Sequence, residues 1–242
     1  MGAKIIITNT FATGKHTLED ANQIHNFEKL NSEGVLIAKR ACKEVNKSSL
    51  IAGGISYWTF TKNKPSLKIL KSNVKDQALI FKKNGVDLLI LEMMEDIRRM
   101  MVTLEGAKNV NLPIWVGLSC KKDSFGKVVL LNGDPLEKAL DNLNNRNIDL
   151  INIMHTEIPL INACLDILQN NWKGLVGVYA HSGIMEKTNW TFEEVISPEN
   201  YSKYVKEWIK RGVNLVGGCC GITTEHICVE PFEMPWLDSY ET

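Results

Sequence analysis

Ser66–Glu92 reads SLKILKSNVKDQALIFKKNGVDLLILE. Its first two thirds, Ser66–Asn84, mix apolar and charged residues as an amphipathic helix does. Asn84-Gly85 is a helix stop, because glycine accepts the left-handed backbone that ends a helix. Asp87–Leu91 (DLLIL) follows as a short continuous apolar run. Strands that alternate apolar and polar residues are half-buried; a continuous run fits a parallel strand covered on both faces. The run then meets an acid, Glu92.

The same unit recurs along the chain. Further strand candidates are Lys4–Thr8 (KIIIT), Leu50–Gly54 (LIAGG), Ile114–Ser119 (IWVGLS), Asp149–Met154 (DLINIM), Leu175–Tyr179 (LVGVY) and Asn214–Gly218 (NLVGG). Amphipathic segments lie between them, at Lys29–Val45, Asp96–Asn109, Pro135–Asn145, Ile158–Asn171 and Pro198–Arg211. Strand and helix alternating at about 30 residues is the rhythm of a (β/α) barrel or a doubly wound sheet. No Gly-x-Gly-x-x-Gly follows any strand, which weighs against the dinucleotide fold. A barrel places its chemistry at the C-terminal ends of its strands. Those ends carry Thr8-Asn9-Thr10, Ser56-Tyr57, Glu92, Ser119-Cys120, His155, His181-Ser182 and Cys219-Cys220. The expected fold is therefore an α/β, TIM-type barrel, with seven strands counted where closure takes eight.

Composition sets outer limits. The 242 residues, 44% apolar and 23% charged, suit one soluble domain with a single core. Lys plus Arg (28) equals Asp plus Glu (28), so charge gives no reason to expect a nucleic acid or an anionic membrane as partner. No apolar run approaches the roughly 20 residues that span a bilayer. With no signal-like opening segment, a cytoplasmic location is expected. The six cysteines stand at 42, 120, 164, 219, 220 and 228. A chain this long does not depend on disulfides, and in a reducing compartment thiols matter chiefly as metal ligands or nucleophiles.

Gly217-Gly218-Cys219-Cys220-Gly221 is the sharpest motif. Two glycines let the backbone turn after an apolar strand, and two thiols then project from one strand end. Adjacent cysteines resist pairing with each other, since the ring is strained, but both can reach one metal ion. The plain alternative is two buried structural thiols. Taken on to Ile227, GGCCGITTEHI resembles the signature of the homocysteine S-methyltransferases. Ala3–Phe11, Ala52–Ser56, Gly85–Glu92, Trp115–Cys120 and Val178–Gly183 resemble that family's second, third, fourth, fifth and seventh strands, in order. Ala52–Ser56 is closest in flavour to the betaine-homocysteine branch.

The resemblance implies a (β/α)8 barrel and zinc-dependent methyl transfer to the sulfur of homocysteine, giving methionine. Its zinc is held by the paired cysteines and a third cysteine after the sixth strand, leaving the fourth position for the substrate thiolate. Here that stretch reads Ile151-Asn152-Ile153-Met154-His155-Thr156, and His155 takes the aligned place. The implied ligand set becomes Cys219, Cys220 and His155. The family's first strand, with its Asp-Gly-Gly segment, has no counterpart. A single domain over 1–242, N-terminally incomplete, is expected, with a homo-oligomer as one way to cover the gap.

Four further residues are candidates for substrate. The family's counterpart of Glu92 binds the homocysteine amino group. Tyr57, with Trp58, offers aromatic faces to a cationic methyl donor of the betaine or S-methylmethionine type; packing at the rim is the alternative. Thr8 and Asn9 stand at the end of the first strand. Two other functions stay open: a zinc hydrolase using metal-activated water, and a barrel that binds zinc without catalysis.

Overall fold

The computed structural model describes residues 3–45, 49–61, 63–186 and 191–227. Its main sheet has seven strands: β1 (Ile5–Ile7), β2 (Leu50–Ile55), β3 (Leu88–Met94), β4 (Ile114–Leu118), β5 (Leu150–Glu157), β6 (Leu175–His181) and β7 (Leu215–Val216). They neighbour one another in chain order, and every pair is parallel. Among the described residues β1 pairs only with β2 and β7 only with β6. The strand count and the α/β class are those expected.

Helices supply the crossovers: α1 (Lys15–Asp20), α2 (Phe27–Glu44), α3 (Leu67–Asn84), α4 (Ile97–Ala107), α5 (Leu136–Leu143), α6 (Ile158–Asn171), α7 (Pro198–Lys210) and a short α8 (Thr224–Ile227). Ser66 caps α3 and Gly85 ends it in the left-handed conformation, as the opening stretch predicts. Two hairpins were not foreseen, Cys120–Lys122 with Val128–Leu130 and Ile184–Glu186 with Thr191–Glu193. Their strands are three residues long, too short to show a period.

Both sheet faces are buried, which is why the strands lack alternation. Ile51, Leu89, Leu91, Val116, Ile151, Ile153 and Val178 face outward and pack under helical residues such as Val35, Val74, Phe81, Leu104 and Leu165. Ala52, Leu88, Ile90, Trp115, Leu150, Met154 and Tyr179 face inward and form a second cluster. A polar residue before every second strand fixes register at the opposite end from the candidate site. Asp87 accepts the Ile51 N–H, Asp149 the Ile114 N–H and Asn214 the Val176 N–H, at 2.7, 2.9 and 2.9 Å.

The interior is filled through its glycines. A Cβ on Gly117 would stand 2.7 Å from the Met154 sulfur, 2.8 Å from the Tyr179 hydroxyl and 3.1 Å from the Leu91 carbonyl oxygen. Gly117→Ala is expected to cost about 1–3 kcal/mol through overpacking. In a chain of this size that lowers the melting temperature by roughly 2–12 °C. Thermal denaturation followed by circular dichroism measures it, and an unchanged midpoint would show that the interior gives way freely.

Candidate functional site

β3 and β5 both break register near their C-terminal ends. On β3 the break falls between Leu91 and Met94, with Met93 at φ 57°. On β5 it falls between Met154 and Glu157, with His155 at φ 43°. Non-glycine residues rarely hold positive φ, and bulges next to active sites re-aim side chains. Leu150 and Met154 already point inward. The left-handed residue breaks the alternation, so that His155, which a regular strand would point outward, also turns toward the mouth.

There it meets the cysteine loop. The His155 Nδ1 lies 3.8 Å from the Cys219 sulfur and 3.9 Å from the Cys220 sulfur, and the two sulfurs are 3.7 Å apart. Among the described residues this is the only grouping of three His, Cys, Asp or Glu side chains close enough to share a metal ion. All three are partly exposed, as a reactive centre requires. The two thiols hydrogen-bond, and that contact splits them. Cys220 is lowered to about 4 by the Cys219 hydrogen bond and then by His155, while Cys219 is pushed up by the same bond and by burial.

The loop holding the cysteines is tightly fixed. The Cys219 N–H donates to the Ala180 carbonyl, and the Ser182 N–H donates to the Cys220 carbonyl, at 2.9 and 3.0 Å. Gly221 has φ 75°, and a Cβ there would lie 2.0 Å from the Ser182 carbonyl oxygen, so this position admits only glycine. The Tyr201 hydroxyl donates to the Gly217 carbonyl at 2.6 Å. His226 locks the loop from behind. Its Nδ1 accepts the Thr223 N–H, and its Nε2 lies 2.8 Å from the Ile196 carbonyl oxygen, to which it donates. Sequence reasoning gave His226 no separate role, although it stands inside the quoted signature.

Glu92 occupies the inner face of β3. It is buried, and no hydrogen-bond donor among the described residues reaches it. Gly54 on β2 leaves its space: a Cβ there would lie 2.4 Å from Glu92 Oε2. Burial pushes the carboxyl up to about 8. A charge on it would raise both Tyr179 and Cys219, so it lies within electrostatic reach of the cysteine loop.

The Thr8 and Tyr57 hydroxyls are both taken up by neighbouring protein groups. The Thr8 hydroxyl accepts the Gly54 N–H at 3.1 Å and hydrogen-bonds Thr10 at 2.7 Å; Thr10 in turn donates to the Gly54 carbonyl at 2.8 Å. The two threonines strap β1 to the strand that makes room for Glu92. Tyr57 is fully buried, its hydroxyl accepts two backbone N–H groups, and Lys64 sits over its ring. It has no free face for a cationic donor. Trp58 is partly exposed, with the Phe11 ring at 5.8 Å and the exposed Phe60 ring at 4.7 Å. Asn9 is exposed. Of the other thiols, Cys42 is buried as expected of core, and Cys120 and Cys164 are buried against each other. Cys228 lies outside the described residues.

The model of the family described as homocysteine S-methyltransferase matches residues 1–229. The chain belongs to that family. It is 22% identical to a methionine synthase of Mycobacterium leprae, over 93% of this chain and 20% of that protein. It is 23% identical to betaine–homocysteine S-methyltransferase 1 of Danio rerio, over 93% of this chain and 60% of that one. The chain thus spans from a fifth to three fifths of the length of these relatives. Among solved structures, the metallated form of the homocysteine methyltransferase MmuM from Escherichia coli superposes with a TM-score of 0.77. The identity there is 18%, covering 93% of this chain and 78% of that one, so the likeness speaks for the fold. No helix among the described residues of this family member is long and apolar enough to cross a membrane.

Proposed function

We propose that this chain binds zinc through His155, Cys219 and Cys220 and transfers a methyl group from a small cationic donor to the sulfur of homocysteine. The carrying observation is the donor triangle with edges of 3.7, 3.8 and 3.9 Å, within electrostatic reach of a buried carboxyl that has no hydrogen-bond partner among the described residues. Zn–S bonds of about 2.3 Å and Zn–N bonds of about 2.0–2.1 Å, arranged tetrahedrally, give edges of roughly 3.8 Å between sulfurs and roughly 3.5–3.6 Å from sulfur to nitrogen, so the sulfur edge matches and the nitrogen edges need to close by only about 0.3 Å. The residues present therefore fit a four-coordinate ion with one position left open. Bound there, zinc supplies the Lewis acidity that keeps a substrate thiol deprotonated at neutral pH.

The protein's own groups orient the amino acid. Glu92 is a buried carboxyl with no donor among the described residues, held protonated by its burial, and the ammonium of homocysteine favours its ionised form and pairs with it. That pairing repays the cost of burial and aims the substrate sulfur toward the cysteine loop. The Trp58 face with its two phenylalanines suits a methyl donor that carries charge without a proton to share, such as a quaternary ammonium or a sulfonium. The sulfur attacks the methyl carbon, the bond from carbon to the donor's nitrogen or sulfur breaks, and the donor leaves as a neutral amine or thioether. Betaine is the first donor to test and S-methylmethionine the second. Family membership favours methyl transfer over metal-assisted hydrolysis. Incubation of the zinc-loaded protein with homocysteine and each donor should give methionine; none from any donor would sink the proposal.

Glu92→Gln is expected to weaken homocysteine binding by roughly ten- to 150-fold, the value of a charge-assisted contact of about 1.5–3 kcal/mol, with zinc content unchanged. The same variant should be more stable in the metal-free state at pH 8. A carboxyl raised to about 8 when folded, against an ordinary 4.5, holds a proton that the unfolded chain has released. Stability therefore falls as pH rises between those values, and glutamine removes that slope. Calorimetry and pH-dependent melting read the two effects. Unchanged affinity would make Glu92 structural.

A further inference from the structure

We infer that Tyr57 is a positioning residue for Glu92, acting through the turn that follows it. The inference rests on the reading of Glu92 as the ammonium site.

The turn from Met93 to Asp96 is an unusual piece of backbone. Met93 is left-handed, and β3 has lost its register to β4 by this point. Such a conformation persists only where its surroundings hold it. Two backbone N–H groups on the turn, those of Glu95 and Asp96, donate to the same phenolic oxygen of Tyr57, at 2.6 and 3.0 Å. Tyr57 itself is fully buried. A third N–H, that of Met93, donates to the Met154 sulfur at 3.0 Å. Asp96 then starts α4 by accepting the Arg99 N–H.

The phenol comes from the loop after β2. That strand carries Gly54, which borders the Glu92 carboxylate. Tyr57 therefore ties together the strand that makes room for the carboxylate and the turn that aims it. Lys64 completes the tie, lying over the Tyr57 ring at 5.1 Å and pairing with Glu95. A tyrosine packed only for its volume would not need an oxygen at this point. A phenylalanine would leave the buried Asp96 N–H and the part-buried Glu95 N–H without their acceptor.

Tyr57→Phe is the test, with homocysteine and its analogue lacking the amino group as ligands of the zinc-loaded protein. The preference of wild type for homocysteine over the analogue measures the ammonium contact. Glu92→Gln should abolish that preference. Tyr57→Phe should reduce it about tenfold while leaving affinity for the analogue and zinc content near wild type. A general loss of structure would weaken both ligands alike, and that result overturns the inference. A full preference in Tyr57→Phe beside a lost one in Glu92→Gln also overturns it and leaves Glu92 standing. A preference that survives Glu92→Gln removes the underlying reading as well. If Tyr57→Phe does not fold, a ring-fluorinated tyrosine at position 57 keeps the packing and weakens the acceptor. The same preference should then fall by a smaller factor, and an unchanged preference would count against Tyr57.

Discussion

Cys220→Ser is expected to leave the protein with less than about a tenth of the metal held by wild type. A serine hydroxyl keeps its proton at neutral pH, so the substitution removes one of two thiolates from the proposed three-ligand centre. Metal affinity at such centres is large, on the order of 10 kcal/mol or more for a full ligand set. The loss of a charged ligand is therefore a loss of occupancy, where a distant change would alter only its degree. The fold should survive. The cysteine loop is partly exposed at the mouth, and the outer core under the helices forms without it. Metal analysis after dialysis, beside a melting curve, separates the two effects. Equal and negligible zinc in variant and wild type would remove the metal centre from the account. Equal and stoichiometric zinc would mean that other groups hold it.

The sequence carried the fold well because burial on both faces leaves a plain mark. Runs such as Asp87–Leu91 and Asp149–Met154 lie within a residue or so of the observed strand starts, and the Asn84-Gly85 stop falls at the end of α3. The strand ends were less legible. β3 and β5 each run three residues past the apolar stretch, through a left-handed residue, and nothing in the side chains of Met93 or His155 announces a bulge. The grouping of Cys219, Cys220 and His155 could be read from spacing and resemblance, because metal chemistry restricts the residue types. The hydrogen-bond partners of Thr8 and Tyr57 could not. Their polar atoms face a neighbouring backbone in place of the mouth, and polar residues at a strand end look the same in either orientation. His226 was hidden for the same reason, its two ring nitrogens being spent on Thr223 and Ile196.

In the proposed centre His155 stands where a three-cysteine centre would have its third thiol, and the difference has a consequence for charge. Zinc brings +2, each thiolate −1 and a neutral imidazole nothing, so the proposed centre is neutral where three cysteines would make it −1. A substrate thiolate then sees a less screened cation. It is held more firmly and is the weaker nucleophile, which predicts a lower apparent thiol pKa and slower methyl transfer than a three-cysteine centre would give. His155→Ala should lower zinc affinity by about tenfold or more. His155→Cys should keep zinc and match or exceed wild-type turnover. The pair of variants controls for the backbone. Any non-glycine residue at φ 43° bears a similar strain, so alanine and cysteine share that cost and differ only in the donor atom. Zinc retained equally by both would make the histidine a bystander. The third donor would then lie outside the triangle, and Cys120 offers no substitute, being buried against Cys164 and absent from the one group among the described residues that can share an ion.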